Sequence, residues 1–189
     1  FPGHGDTDKD SHKTLPTISF NKKRLYNVEF FPYETLIRNG LSSVMVAHLN
    51  VPALDSRTNY PSSLSKKIIT NNLKSKLNFK GLIFTDALDM SGVSNFSSPG
   101  DVDLNAFLAG NDILLMSKDV ISGINKIELA YNQGRINESR LSHSVKKILY
   151  AKFKVGLNNY TPIEINNIIS DVNRVEDKLL NFDLIKKSQ

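Results

Sequence analysis

The sequence predicts an α/β protein in which parallel strands alternate with helices, and two observations carry that prediction. Three short apolar runs, rich in Val, Ile, Leu and Phe, begin at residues 43, 81 and 111. Runs without alternation are typical of strands buried on both faces of a parallel sheet. A helical pattern occupies each interval between the runs, as in a repeating βα unit. We expect the strands at Ser43–His48, Gly81–Asp86 and Asn111–Ser117.

Five helices are predicted from the spacing of apolar residues and from the residues that bound them. The first and third stop before Gly40 and Gly110, because glycine is favoured just beyond the end of a helix. Asn137 can cap the start of the fifth helix, which is followed by Gly156. The second helix has a stripe of leucine and isoleucine on one face. The predicted ranges are Glu29–Asn39, Ser63–Leu77, Asp101–Ala109, Asp119–Gln133 and Glu138–Lys154.

Three strands, with a front loop that would follow a fourth, are too few to close a barrel. An eight-fold barrel needs about 250 residues, and this chain has 189. We therefore expect residues 1–156 to form the C-terminal part of a TIM-type (β/α)8 barrel whose N-terminal half is missing. Residues 157–189 are expected to form a polar, partly helical tail or linker. Since half a barrel exposes its sheet edges and inner core, the chain alone is expected to be inactive and prone to aggregate.

The composition excludes several classes of protein. The chain is 40% apolar and 23% charged, which is typical of a globular protein. It has no apolar run near the roughly 18–20 residues of a membrane span, and the absence of cysteine excludes disulfides and thiolate sites. The net charge of +5 comes with lysine pairs scattered among helical patterns. Because a basic stripe interleaved with aromatic residues is lacking, we do not expect a nucleic-acid partner.

Two candidate functional residues stand at strand ends. In a parallel α/β domain the loops after the carboxyl ends of the strands carry the site. Asp86 ends "GLIFTD", where a buried strand delivers a carboxylate to that face, although it could instead cap a short helix in "ALDMSGV". His48 ends "VMVAH" and is either a ligand contact or a structural histidine bonded to a neighbouring loop.

The first sixteen residues, "FPGHGDTDKDSHKTLP", form a loop dense in acid–base groups. Asp10 and His12 are two residues apart, so in an extended stretch their side chains leave on the same side. A carboxylate beside an imidazole fixes its tautomer, and such a histidine can give a proton and later take one back. The alternative is an exposed loop with accidental spacing. His4, between two glycines, can line a pocket or simply occupy a turn.

The sequence gives no support to a metal or a cofactor. The spacing of His4 and His12 matches no common zinc pattern, and HExxH is absent. GxGxxG, the P-loop and GxSxG are absent as well, which removes the nucleotide-binding and serine-hydrolase interpretations. We expect neither a metal site nor a cofactor.

Taken together, these segments resemble the β-N-acetylglucosaminidase branch of glycoside hydrolase family 3. The similar stretches occur in family order and at family spacing, and the likeness runs to about Gly156. They are "FPGHGDTDKDSHKTLP", "SVMVAHLNVPALD", "YPSSLS", "FKGLIFTDALDM" and "AGNDILLM".

The resemblance implies a role for each candidate residue. Asp86 matches the nucleophile that forms a covalent glycosyl–enzyme intermediate. His12 matches the general acid/base of this branch and Asp10 its partner, in place of the second carboxylate that most retaining glycosidases use. His4 and His48 are left as candidate substrate-binding residues. The family's lysine–histidine sugar-binding pair would lie directly before Phe1, and the loop that carries His12 is expected to swing in when substrate binds.

The implied activity is a retaining exo-β-N-acetylglucosaminidase. Its carbohydrate substrate would be an N-acetylglucosamine-terminated glycan, from peptidoglycan turnover or from chitooligosaccharides. The alternatives are a related β-glycosidase or a glycoside phosphorylase on the same scaffold, or a non-catalytic sugar-binding protein. The localisation stays open between the cytoplasm and the periplasm of a bacterium.

Overall fold

The structure, a computed structural model, describes residues 1–5 and 7–188. The chain divides into two compact units, Phe1–Ala151 and Lys152–Gln189. In the first unit, helices precede and follow each of the two strands, as expected of βα repeats. The elements are α1 (Lys22–Arg24), a π-type turn (Leu25–Glu29), α2 (Phe31–Arg38), β1 (Ser43–Val46), a 3-10 turn (Ser62–Leu64), a π-type helix (Lys67–Lys76), β2 (Leu82–Thr85), α3 (Ser91–Ser94), α4 (Asp101–Ala109), α5 (Val120–Asn132) and α6 (Glu138–Lys154).

Strands β1 and β2 pair in parallel, with Val44 opposite Ile83 and Val46 opposite Thr85. On the other edge of β1, the Ala47 amide donates to the Phe1 carbonyl at 3.0 Å. The glycine-rich front loop therefore starts from a segment that lies beside β1. This arrangement brings the front loop and the loops after β1 and β2 to the same edge of the sheet.

The segment Asn111–Ser117, expected to be a third strand, is not one. It forms a single parallel bridge, between Ile113 and Phe84. At two positions a side-chain oxygen accepts a hydrogen bond that a backbone carbonyl accepts in a regular sheet. The Ile83 amide donates to Asp112 Oδ2 at 3.0 Å, and the Leu115 amide donates to Thr85 Oγ1 at 2.9 Å. Met116 then turns the chain with a φ of 47°. The segment lies beside β2 as predicted, but it is held there by a mixture of side-chain bonds and backbone bonds, such as the Thr85 amide to the Ile113 carbonyl at 3.0 Å.

The helix expected at Ser63–Leu77 is split into a 3-10 turn and a wider, π-type helix. Its predicted apolar stripe is nevertheless buried throughout. The main core of the first unit is built by the stripe from Ile68 onward against both strands and the front loop, with Phe1 stacked on Phe30 at 5.0 Å between ring centroids, while Leu64 packs in a second cluster. The buried stripe residues are Leu64, Ile68, Ile69, Leu73 and Leu77.

The second unit contains a 3-10 turn (Leu157–Asn159) and the helices α7 (Ile168–Asp171) and α8 (Val175–Ser188). Its described residues, 152–188, are all exposed. Over the described ranges of the whole chain, we find no helix with the length and apolarity that crossing a membrane requires.

Candidate active site

Asp86 lies directly after β2, at the edge of a cavity of about 400 Å³. Its amide donates to the Val46 carbonyl at 2.9 Å, which fixes its backbone to β1. Its Oδ1 accepts only from the adjacent Ala87 amide, at 2.8 Å, among the hydrogen bonds of the described residues. Asp86 does not cap the following helix, because α3 begins at Ser91 and is preceded by Met90. The carboxylate is therefore placed by the sheet and faces a cavity.

Asp10 and His12 are in direct contact, but in a turn at residues 11–13 and not in the extended stretch assumed from the sequence. Asp10 Oδ1 is 2.9 Å from His12 Nδ1 and also accepts the His12 amide at 2.9 Å. These two hydrogen bonds lower the pKa of Asp10 below its usual value, the backbone bond contributing most. Since a carboxylate only accepts, Nδ1 carries a proton and Nε2 is the atom left for substrate. The His12 side chain is 77% exposed.

His4 joins the front loop to the Asp86 cavity. It lines the same cavity as Asp86, together with Phe1 and Met45. Its Nε2 is 3.3 Å from Oγ of Ser11, the buried residue between Asp10 and His12. Neither Asp10 nor His12 lines the cavity in this structure. The structure thus brings His4 and Asp86 together and leaves the Asp10–His12 pair on the exposed side of its loop.

His48, a candidate sugar contact, is fully buried and does not line the cavity. Its Nε2 donates to the carbonyl of Ala87, the residue after Asp86, at 2.9 Å. Its Nδ1 then accepts from Ser63 Oγ at 2.7 Å. The imidazole is neutral in this arrangement, and burial lowers its pKa although the hydrogen bond to Ala87 and the charges of Asp86 and Asp89 act in the opposite direction. His48 therefore supports the backbone of the Asp86 segment from behind.

The buried imidazole predicts a pH-dependent stability. The folded chain excludes a proton that the unfolded chain binds below its ordinary pKa of 6.5, so stability falls as the pH drops from 7 through 6.5. We expect His48→Gln to lower the free energy of unfolding at pH 7 by about 1–3 kcal/mol, since partners lose hydrogen bonds. It should also flatten the slope between pH 7 and 5, measured by urea unfolding at each pH. An unchanged slope would show that folding does not shift the pKa of His48.

Sequence reasoning missed the residues that support or complete the site. The sequence predicts Ser63 only as the start of a helix, and nothing near it in sequence indicates its contact with His48. Met45 gives no signal in an apolar run without alternation, and only the burial pattern of β1 shows that it is exposed between buried Val44 and Val46. Within residues 1–5 and 7–188, no three acidic or histidine side chains come together as metal ligands.

Comparison with known proteins places this geometry in a family. Residues 1–151 match the glycosyl hydrolase family 3 N-terminal domain. A β-hexosaminidase A from Pseudoalteromonas piscicida is 32% identical over 174 residues, which are 82% of this chain and 29% of the relative. A β-hexosaminidase from Haemophilus influenzae is 33% identical over 153 residues, 78% of this chain and 43% of the relative.

A solved structure shows the same fold. The glycoside hydrolase family 3 β-N-acetylglucosaminidase of Paenibacillus sp. str. FPU-7 matches with a TM-score of 0.82 and 32% identity, over 88% of this chain and 32% of that chain. The expectation of a TIM-type α/β fold is thereby confirmed, and the chain spans less than half the length of these relatives. The match of the family domain over residues 1–151 leads to one conclusion: this chain belongs to glycoside hydrolase family 3.

Proposed function

We propose that the whole protein containing this chain is a retaining exo-β-N-acetylglucosaminidase. The observation that carries the proposal is the 2.9 Å contact between Asp10 and His12 on a loop that reaches the Asp86 cavity through His4. A carboxylate at a strand end and a carboxylate-oriented imidazole supply a nucleophile and a proton carrier. A sugar-binding protein without activity would require neither.

In the first step Asp86 attacks the anomeric carbon of the terminal sugar. The bond from that carbon to the leaving oxygen breaks, and its electron pair goes to the oxygen. His12 donates a proton from Nε2 to the same oxygen, while Asp10 stabilises the positive imidazole through Nδ1. The result is a glycosyl ester on Asp86 and a free alcohol.

In the second step His12 acts as the base. It takes a proton from water as the water oxygen attacks the anomeric carbon, and the ester oxygen leaves to restore the Asp86 carboxylate. Two displacements at one carbon retain the β configuration. Since His12 is exposed and does not line the cavity, the loop has to move for Nε2 to reach the leaving oxygen.

The substrate class is supported by the relatives. Proteins named β-hexosaminidase and a β-N-acetylglucosaminidase match this chain at 32–33% identity. We infer a terminal N-acetylglucosamine on a peptidoglycan fragment or a chitooligosaccharide, with no cofactor.

The test is turnover of 4-nitrophenyl N-acetyl-β-glucosaminide by the whole protein, followed by NMR of the first-formed sugar. We expect the β anomer of N-acetylglucosamine, and much slower turnover of the matching glucoside. A parallel assay in phosphate separates hydrolysis from phosphorolysis, because a phosphorylase would release the sugar 1-phosphate. Formation of the α anomer would contradict the retaining mechanism.

Asp10→Asn tests the imidazole's partner. Asparagine keeps the length of the side chain but loses the charge that stabilises the imidazolium and fixes its tautomer. We expect kcat to fall by about a hundredfold with little change in KM. Asp8→Asn, on the exposed part of the same loop, is the matched control. Equal kcat for Asp10→Asn and wild type would show that the contact has no catalytic role.

A further inference from the structure

Helix α3 carries a glycine that lies against the backbone of the loop holding His12. A Cβ added to Gly92 would lie 2.7 Å from the Thr14 carbonyl oxygen and 3.1 Å from the Ser11 carbonyl oxygen. Both are backbone atoms, so no side-chain rotation relieves the contact. They flank His12 on either side, within the turn in which Thr14 donates to the Asp10 carbonyl at 3.1 Å. The Ser11–Thr14 turn therefore packs directly against Gly92, and we call this contact the seat.

Position 92 requires a glycine because there is no room for a side chain, and not because of its backbone conformation. Gly92 lies inside α3 and is not among the glycines with positive φ. Alanine would be the better helix former there by about 1 kcal/mol. The close approach of Ser11 and Thr14 is therefore the feature that requires a residue without a side chain.

The seat is fixed relative to Asp86. Between Asp86 and α3, the Leu88 amide donates to the Leu115 carbonyl at 2.9 Å, and the Met90 amide donates to the Ala87 carbonyl at 3.2 Å. Leu88 and Val93 are fully or almost fully buried. Because the segment from Asp86 to α3 is packed and hydrogen-bonded, the contact at Gly92 links the Asp86 segment to the loop that carries His12.

We propose that Gly92 is a positioning residue that sets where His12 lies relative to Asp86. The proposal rests on the proposed function for its kinetic test. The Ser11–Thr14 turn stays on Gly92 as the rest of the loop moves, and this contact fixes where His12 stops relative to the leaving oxygen. A side chain at position 92 displaces the turn, so that Nε2 no longer reaches that oxygen. The nucleophile is unaffected, because Asp86 is held by β1 and by Ala87.

The leaving-group dependence of Gly92→Ala separates proton transfer from the other steps. A 2,4-dinitrophenyl leaving group departs without a proton, whereas a phenyl leaving group or a second sugar needs one. We expect kcat/KM of Gly92→Ala to fall by about a hundredfold for phenyl N-acetyl-β-glucosaminide and by less than about threefold for the dinitrophenyl glycoside. The ratio of the two values cancels the fraction of folded enzyme, so a loss of stability cannot imitate the effect. Azide should raise the slow kcat on the dinitrophenyl substrate and give the β-glycosyl azide.

Gly123→Ala is the matched control. A Cβ there would also be crowded, at 3.0 Å from Asp103 Cγ, and Gly123 likewise lies inside a helix without positive φ. The three atoms nearest to a Cβ at Gly123 all belong to Asp103 in α4, and none belongs to the loop that carries His12. We expect Gly123→Ala to change kcat/KM by the same factor for the phenyl and the dinitrophenyl glycoside. The same leaving-group dependence in both variants, or none in Gly92→Ala, would overturn the proposal.

A second measurement tests the contact between Gly92 and the Ser11–Thr14 turn, and it does not require that the whole protein turns over N-acetylglucosaminides. Lys13 lies within the seated turn, and its side chain is 82% exposed. We expect trypsin to cleave after Lys13 severalfold faster in Gly92→Ala than in wild type or Gly123→Ala. Inactive wild-type protein with this faster cleavage would refute the proposed function and leave the seat supported. Unchanged cleavage would refute the seat.

Discussion

Asp86→Ala is expected to abolish turnover in the whole protein, with a loss of at least about a thousandfold in kcat. The methyl group cannot form the glycosyl ester, and no other described carboxylate lines the cavity that Asp86 faces. The backbone should be undisturbed, since the amide of residue 86 still donates to the Val46 carbonyl. Michaelis–Menten kinetics on 4-nitrophenyl N-acetyl-β-glucosaminide give the measurement.

Asp89→Ala is the control for this substitution. Asp89 is exposed and lies three residues farther along, outside the cavity lining, so we expect its kcat to stay near that of wild type. A 5-fluoro N-acetylglucosaminyl inactivator adds a direct readout: peptide mass spectrometry should find the sugar ester on Asp86. Azide should rescue Asp86→Ala by giving the α-glycosyl azide, the inverted product. An active Asp86→Ala enzyme, or an ester on another residue, would contradict the assignment.

The sequence indicated which side chains of the candidate site would meet only where the contacts are local. Asp10 and His12 are two residues apart, and a local turn in which Asp10 accepts the His12 amide brings their side chains together. His48 is different, because its partners Ser63 and Ala87 are 15 and 39 residues away. A histidine at a strand end looks the same in sequence whether it faces a cavity or the protein interior. Burial by distant residues decided which one it is.

The fold shows the same division between local and distant contacts. Apolar runs and glycines located both strands and gave the bounds of α4 and α6. The run at Asn111–Ser117 has the composition of a strand, yet Asp112 bonds the amide of Ile83, 29 residues away, in place of a backbone carbonyl. Whether a carboxylate inserts into a ladder depends on tertiary partners that can hold its charge in the interior.

Asp112→Asn is expected to cause the largest loss of stability. The Asp112 carboxylate is fully buried and accepts from the Ile83 amide, from Ser144 Oγ at 2.5 Å and from Lys147 Nζ. Burial alone would raise its pKa, but the bonds from Lys147 and Ser144 outweigh burial and hold the pKa below its usual value. Asparagine leaves the largely buried ammonium of Lys147 without a counter-ion, which costs about 3–5 kcal/mol of unfolding free energy.

The surface pair Asp101–Lys126 supplies the comparison that isolates burial. Its atoms are 2.9 Å apart, but both side chains are about one-third or more exposed, so Asp101→Asn should cost less than about 1 kcal/mol.

The effect of Asp112 on stability also depends on pH in a predictable direction. The stability contributed by the ionised Asp112 is present above the ordinary pKa of 3.8 and is lost as the pH falls through the lowered folded value, so Asp112→Asn should lose less stability on acidification than wild type. Urea unfolding from pH 7 to 3 measures both effects, and equal costs for the two substitutions would mean that the Asp112 network does not hold α6 to β2.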